Sequence, residues 1–264
     1  MPAVRGNHVP EDGLALGSIQ VFPGRKSAGT LADVWRAASL PGSGAPQVRA
    51  TRLEDYAAIR ALQRQSAPYL APCSLRQLES RLHAFPEGQL VATVDGQVVG
   101  AAASLIVDWN EYGVDHTWRE IAGDGYFTTH DPSGRTLYAC EAVLDASRRG
   151  FGTARLLSQA QRRICRRLNL KRIIATARLP GYAHARDAMP PEHYAMRVIW
   201  GEIADPALRF RMAQGYQYCG ILHGYQPEDA ESGGHAALLA WLNPLYAPPG
   251  PGANAASERA RKCA

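Results

Sequence analysis

The stretch E-A-V-L-D-A-S-R-R-G-F-G-T-A-R-L-L, residues 141–157, decides the fold of this chain. An apolar run ends at Leu144, a polar turn with two glycines follows, and a helical pattern begins at once. A tight turn is the simpler interpretation of the glycines. A phosphate-binding site is the more specific interpretation. The start of a helix has unpaired N–H groups and a partial positive charge, and a bound phosphate satisfies both. The flanking segments must decide between the two.

The segments on either side of the turn are predicted to be a strand and a helix. Alternating side chains predict a strand over Thr136–Leu144. Within Thr153–Leu168, Leu156, Ala160 and Ile164 recur every four residues, which predicts an amphipathic helix with this face against the sheet. The other sides carry arginines 155, 162, 163, 166 and 167. The glycines therefore lie between a strand and a helix N-terminus, where a phosphate can bind the free amides.

Two other phosphate-binding motifs do not fit this turn. A P-loop requires Gly-Lys-Ser/Thr, which the chain lacks. A dinucleotide fingerprint requires a third small residue, where Arg155 stands, and an acidic residue about 20 positions later, which is missing. The turn must belong to a different class of phosphate site.

The rest of the chain predicts a mixed sheet covered by helices. Asp95-Gly96 between two apolar runs is a strong hairpin signal. Further strands are predicted at 47–51, 89–94, 97–107, 171–179, 216–223 and 236–241, and further helices at 53–65, 74–83 and 206–214. Residues 109–134 and 180–205 show no regular pattern. The order β-α-α-β-β-β-α-β-α-β-β gives a sheet whose first half is antiparallel.

Composition limits the classes of protein to which the chain can belong. The 264 residues are 46% hydrophobic and 20% charged with a formal charge of +5, which is typical of a globular protein. Five cysteines without a CxxC pair argue against a disulfide framework and a zinc site. With neither an apolar run of 18 residues nor a secretory signal, we expect a cytoplasmic protein that does not contact membranes. Residues 1–46 are predicted to be a flexible arm, 47–246 a domain, and 247–264 a disordered basic tail.

The segment L-Y-A-C-E-A-V-L-D-A-S-R-R-G-F-G-T-A-R-L-L resembles motif A of the GNAT superfamily of N-acetyltransferases, usually written Q/R-x-x-G-x-G/A. Gly150 and Gly152 match, whereas Ser147 departs from the first position. The segments F-P-E-G-Q-L-V-A, G-Y-F-T-T-H-D-P and W-L-N-P are similar to the acetyltransferase domain that some bacterial proteins carry fused to a carbon–nitrogen hydrolase domain. The resemblance covers residues 47–246.

The resemblance implies an α/β (α+β) GNAT fold, with a mixed, mostly antiparallel sheet of about six or seven strands, flanked by helices and splayed between strands 4 and 5. It implies transfer of an acetyl group from acetyl-CoA, as co-substrate, to a primary amine by direct attack on the thioester. The backbone of Val143 and Leu144 would bind the pantetheine arm. The pyrophosphate would lie on the turn formed by Arg148, Arg149, Gly150, Phe151, Gly152, Thr153 and Ala154.

Two side chains are candidates for proton transfer. Glu141 is a carboxylate within an apolar strand, and apolar surroundings would make it a better proton acceptor and so a better general base. The alternative is a solvated or salt-bridged glutamate. Many relatives use a tyrosine as acid where this chain has Arg211, so Tyr182 is the substitute candidate. Its alternative is packing on its own turn, with the CoA thiolate leaving unaided.

Other site classes are less favoured. His116, His130 and Asp131 fit no standard metal-ligand spacing, so we expect no metal. A second interpretation of the whole chain is a catalytically weak acyl-CoA-binding module that docks a partner such as a separate amidohydrolase. A nucleic-acid binder using basic tails is a third and weaker interpretation. The acceptor, a small-molecule or peptide amine, stays open, as does the oligomeric state, a homodimer included.

Overall fold

The structure is a computed structural model that describes residues 44–148 and 152–248. Its strands are β1 Gln47–Ala50, β2 Gln89–Val94, β3 Gln97–Val107, β4 Thr136–Leu144, β5 Arg172–Ala177, β6 Gln217–Leu222 and β7 Ala236–Leu242. Its helices are α1 Tyr56–Ser66, α2 Leu75–Ala84, α3 Trp109–Tyr112, α4 Trp118–Ile121, α5 Thr153–Arg167, α6 Pro191–Ile199 and α7 Pro206–Ala213. Within these ranges no helix has the length and apolar content needed to cross a bilayer.

The strands form one mixed sheet in the order β1-β2-β3-β4-β5-β7-β6. β1 to β4 are antiparallel neighbours, β4 and β5 are parallel, and β7 lies antiparallel between β5 and β6. The β2–β3 hairpin turns at Asp95 and Gly96, which both have positive φ (50° and 78°), as a two-residue primed turn requires. The predicted mixed, mostly antiparallel sheet of six or seven strands is confirmed.

Helices cover both faces of the sheet. α5 buries Leu157, Ala160 and Ile164 in a large apolar cluster. Ala160 and Ile164 face the core as predicted, whereas Leu156 is only half-buried and its neighbour Leu157 is buried instead. On the opposite face α1 and α2 pack through Ile59 and Leu78 against the inner strands. Burial of this apolar surface is the main force that holds the layers together.

The sequence pattern missed three helices, all in the segments predicted to be irregular. α6 begins at Pro191, a favourable first helical position. It is only nine residues long, which gave too few turns for a clear period. α3 and α4 are single turns, each started by a side-chain cap, Asp108 and Thr117 respectively.

The predicted domain boundaries can be followed only in part. The amide of Gly44 donates to Asp95 Oδ1 at 2.9 Å, just before β1 begins. At the other end, Ala247 and Asn169 exchange two hydrogen bonds of 2.7 and 2.9 Å. The predicted arm and tail lie outside the described residues over 1–43 and 249–264. The described contacts therefore extend as far as Ala247, one residue past the predicted end of the domain.

Candidate active site

A cleft opens in the sheet where β4 leaves β5. The two strands pair only from Thr136 with Arg172 to Ala139 with Ala175. At that point β4 contains a bulge, because Ser104 opposes Ala139 while Ala103 already opposes Glu141. The remainder of β4, from 141 to 144, stays paired with β3 and, within the described part of the chain, has no strand on its β5 side. Its free edge can therefore bind an extended ligand.

The N-terminus of α5 lies at the end of this edge. Gly152 precedes the helix with a left-handed φ of 71°, and the space where its Cβ would point is open. Within the described part of the chain, the N-cap residue Gly152 supplies no side-chain cap. The amides of Thr153 and Ala154 lack intrahelical acceptors because they lie in the first turn of the helix. The Thr153 hydroxyl is buried without a hydrogen-bond partner. Unpaired donors and a buried hydroxyl at a helix start fit the phosphates of CoA.

The rest of the predicted phosphate turn is described only in part. Arg149, Gly150 and Phe151 lie outside the described residues. Arg148 closes a short 3₁₀ turn that begins at Ala146. Ser147, the departure from the family motif, bonds to the Asp145 carboxylate through both its amide and its hydroxyl, at 2.9 and 2.6 Å. It stabilises the turn as a local cap rather than as a source of positive charge.

The carboxylate of Glu141 is held by two helices. Gln63 Nε2 on α1 donates to Glu141 Oε1 at 2.5 Å, and Arg81 Nη1 on α2 lies 3.1 Å from Oε2. The Arg81 side chain is 4% exposed and that of Glu141 is 22% exposed. The surrounding is therefore not the apolar one expected from the strand, but an ion pair with an added amide donor. A cavity of about 20 Å³ beside the pair has room for one water molecule.

Tyr182 is packed in the core of the 180–184 turn. Its side chain is 6% exposed, its ring meets those of Tyr194 and His235 edge-on, and its hydroxyl donates to the Met189 carbonyl at 3.2 Å. Burial raises the pKa of the phenol. No described contact joins Tyr182 to Glu141, so the structure does not bring the two predicted catalytic side chains together.

Comparison with known proteins gave two relatives from Bacillus subtilis (strain 168), and no protein-family model matches the chain. The protein named probable hydrolase YhcX is 34% identical over 201 residues, which is 76% of this chain and 39% of that protein. The uncharacterized N-acetyltransferase YkwB is 29% identical over 170 residues, which is 64% of this chain and 75% of that protein. The chain thus spans well under half of the first relative.

Two solved structures share the fold over 75% of this chain. They are the GphF GNAT-like decarboxylase in complex with isobutyryl-CoA, with a TM-score of 0.65 at 25% identity over 99% of that chain, and the loading GNATL domain of CurA from Lyngbya majuscula, with a TM-score of 0.65 at 20% identity over 98% of that chain. The chain has the fold of the GNAT superfamily. The predicted family is confirmed, and the relative named as a hydrolase agrees with the predicted branch.

Arg211 stands where the family resemblance implies a tyrosine that acts as the general acid. The Arg211 guanidinium lies 5.4 Å from the centre of the Tyr216 ring, a cation–π distance. Arg162 lies 5.7 Å from the same ring and 4.9 Å from that of Trp241. Arg162, one of the arginines on the other sides of α5, is therefore half-buried against Tyr216 and Trp241.

A buried hydrogen-bonded row in this GNAT sheet was missed by the sequence analysis. His116 Nε2 lies 2.9 Å from Tyr138 Oη, which donates to Tyr225 Oη at 3.0 Å. Burial lowers the pKa of His116, so the ring is neutral near pH 7. His116 and Tyr138 are 22 residues apart in the sequence, and Tyr138 and Tyr225 are 87 residues apart. Only the folded structure brings the three side chains together. In the described residues no group of three side chains could hold a metal.

Proposed function

We propose that the chain is an acyl-CoA-dependent N-acetyltransferase that transfers an acetyl group to a primary amine. The observation that carries the proposal is the pairing of a free β4 edge with the uncapped N-terminus of α5. An extended pantetheine arm fits along Val143 and Leu144, and a diphosphate fits the amides of Thr153 and Ala154. Arg148, Arg149, Gly150, Phe151 and Gly152 complete this proposed binding turn.

Attack on a thioester needs the amine in its neutral form. For a lysine-like amine with a pKa of about 10.4, deprotonation at pH 7 costs roughly 5 kcal/mol. Glu141 is the proposed base, because its carboxylate follows the bulge that opens the cleft. The small cavity beside it gives room for a water through which the proton would pass. A backbone amide of Val143 or Leu144 would stabilise the charge that develops on the carbonyl oxygen.

Release of the CoA thiolate requires less help from the site than deprotonation of the amine does. A thiol has a pKa of about 8.5, so the thiolate is an adequate leaving group at neutral pH. Tyr182 remains a hypothesis for the acid. Its hydroxyl is already engaged with the Met189 carbonyl, which favours its alternative packing role.

The experiment is to incubate the protein with acetyl-CoA and a panel of amines and to follow free thiol. Amine-dependent thiol release is the expected result. Thr153→Val should weaken CoA binding by about tenfold by calorimetry, because it removes a hydroxyl and leaves the size unchanged. Ser158→Ala is the matched control, since Ser158 is another buried hydroxyl without a partner further along α5. Thermal stabilisation by CoA without thiol release across the panel would support the binding-module alternative.

Decarboxylation of a carboxyacyl-CoA is a second candidate. It is favoured by the similarity to the GNAT-like decarboxylase, which has a TM-score of 0.65 and covers 75% of this chain. Malonyl-CoA would then lose carbon dioxide and take up one proton at its α-carbon to yield acetyl-CoA, without any amine. Release of carbon dioxide from malonyl-CoA, with no thiol release from acetyl-CoA and amines, would replace the first proposal with this one.

A further inference from the structure

The Glu141 carboxylate receives donors from both helices that cover it. Gln63 binds one oxygen and Arg81 the other, at 2.5 and 3.1 Å. The Gln63 amide can point only one way, because its Oε1 accepts the Cys73 amide at 2.9 Å. Its NH₂ group must therefore face Glu141. Both oxygens are thus fixed in direction before any substrate arrives.

Arg81 is itself fixed by the segment 123–127. Its Nε donates to the Gly125 carbonyl at 2.7 Å, and its guanidinium lies 4.7 Å from the centre of the Phe127 ring. Gln77 and Ser80, on the same helix, donate to the carbonyls on either side of Gly125, each at 2.8 Å. A planar guanidinium held by one carbonyl and one ring can present its Nη1 in only one place.

The segment that fixes Arg81 has an unusual backbone. Gly123, Asp124 and Gly125 are left-handed in succession, with φ of 52°, 53° and 82°, and Phe127 follows at 60°. Glycine adopts this backbone without steric cost, but Asp124 and Phe127 do not, so their conformation persists only where its surroundings hold it. The three α2 side chains hold it here, and in return the segment orients the Arg81 guanidinium toward β4.

We propose that Arg81 and Gln63 are positioning residues whose ion pair and amide hydrogen bond aim the Glu141 carboxylate for proton transfer. This proposal rests on the proposed function. The other titratable groups that act on Glu141 are Cys73, from the α1–α2 connection, and Cys140, from β4. Burial raises the pKa of both thiols, so both are neutral. Among the described residues, Arg81 is therefore the charged group that forms an ion pair with Glu141.

The test compares Arg81→Met with Arg81→Lys and with Arg76→Met, an exposed arginine on the same helix. Removing the positive charge should move the acidic limb of the kcat/KM profile upward by about one unit or more. Arg81→Lys should keep the limb in place but lower kcat, because it loses the link to Gly125. Gln63→Leu should lower kcat with a smaller displacement of the limb. CoA affinity should stay within about twofold in each variant.

A second readout does not depend on turnover. The carboxyl carbon of Glu141 can be assigned in ¹³C NMR by comparison with Glu141→Gln, and then titrated. We expect the titration midpoint to rise by about one unit or more in Arg81→Met and to be unchanged in Arg76→Met. Equal midpoints in the wild type and Arg81→Met, in protein that keeps its fold, would overturn the proposal. A wild type that releases no thiol would instead count against the proposed function.

Discussion

At the scale of single residues, Cys140 decides where Glu141 points. It is the extra residue of the β4 bulge, since Ala139 and Glu141 face consecutive residues of β3. Simple alternation along β4 predicts that Glu141 shares a face with Val143. In the structure Glu141 and Val143 still share a face, because the bulge at Cys140 precedes both residues. The sequence could not place the bulge, because one unpaired residue leaves no trace in an apolar run.

Glu141→Gln tests the proposed base. The amide cannot take a proton, so turnover should fall by about 100-fold or more, while CoA affinity should change less than twofold. The variant also leaves the Arg81 charge buried without its anion, which costs about 3 kcal/mol of stability. Turnover must therefore be measured well below the melting temperature. Equal losses in turnover and CoA affinity would remove Glu141 as the base.

Tyr182→Phe separates the packing role from the acid role. It removes one hydroxyl that donates to the Met189 carbonyl, so we expect a loss of about 1 kcal/mol in unfolding free energy. Activity should stay within about twofold of wild type. A turnover rate lowered by about 100-fold, in protein of unchanged stability, would restore Tyr182 as the general acid.

At the scale of elements, an ion-pair cluster joins three segments near the carboxyl end of β5. Arg178 binds both oxygens of Asp229 at 2.6 Å and also Glu231 at 2.7 Å. Its guanidinium lies 4.8 Å from the centre of the Tyr69 ring, in the α1–α2 connection. Asp229 is 2% exposed, and Ser232 donates to it from the β6–β7 connection. The cluster thus ties both connections to β5.

Breaking this cluster should destabilise the fold. Asp229→Asn removes the buried charge that Arg178 pairs with, and we expect a loss of about 3 kcal/mol in unfolding free energy. Arg119→Met is the control, because Arg119 pairs with Glu228 of the same connection while its side chain is 68% exposed. That variant should change stability by less than about 1 kcal/mol in urea denaturation. Similar effects of the two substitutions would show that the cluster is not important for stability.

At the scale of the whole molecule, most of the architecture was predictable and the catalytic surroundings were not. The hairpin at Asp95-Gly96, the β4–turn–α5 unit and the order of the strands along the chain all follow from local patterns. Arg81 did not stand out, because one arginine in an amphipathic helix looks like any solvated side chain. Its role depends on Glu141, which is 60 residues away, and on the left-handed segment around Gly125. Such long-range contacts have no local signature.

The stability of the whole molecule should fall in acid. Hydrogen bonds from Arg49 hold the pKa of Asp55 below its usual value. Burial acts to raise the pKa of Asp229, but hydrogen bonds from Arg178 and Ser232 outweigh it. A carboxyl whose pKa is lowered on folding contributes stability above its unfolded pKa and loses it as the pH falls through the folded one. The stability that these two carboxylates contribute should therefore be lost as the pH falls below about 4.

Buried histidines add an earlier stage to the acid loss. Burial lowers the pKa of His116, His130 and His235, so protonation in the unfolded chain begins to favour unfolding below about pH 6.5. Melting temperatures measured from pH 8 to pH 3 should fall slowly from about pH 6.5 and steeply below about pH 4. Asp229→Asn should flatten the steep stage. A melting temperature that stays constant down to pH 3 would contradict this assignment.

The central claim is that the uncapped start of α5 and the free edge of β4 bind coenzyme A. The most direct measurement is a crystal structure of the protein with CoA. We predict the diphosphate on the amides of Thr153 and Ala154, and the pantetheine arm along Val143 and Leu144 up to the Cys140 bulge. CoA bound elsewhere, or a helix start filled by the protein's own side chains at saturating CoA, would contradict the account.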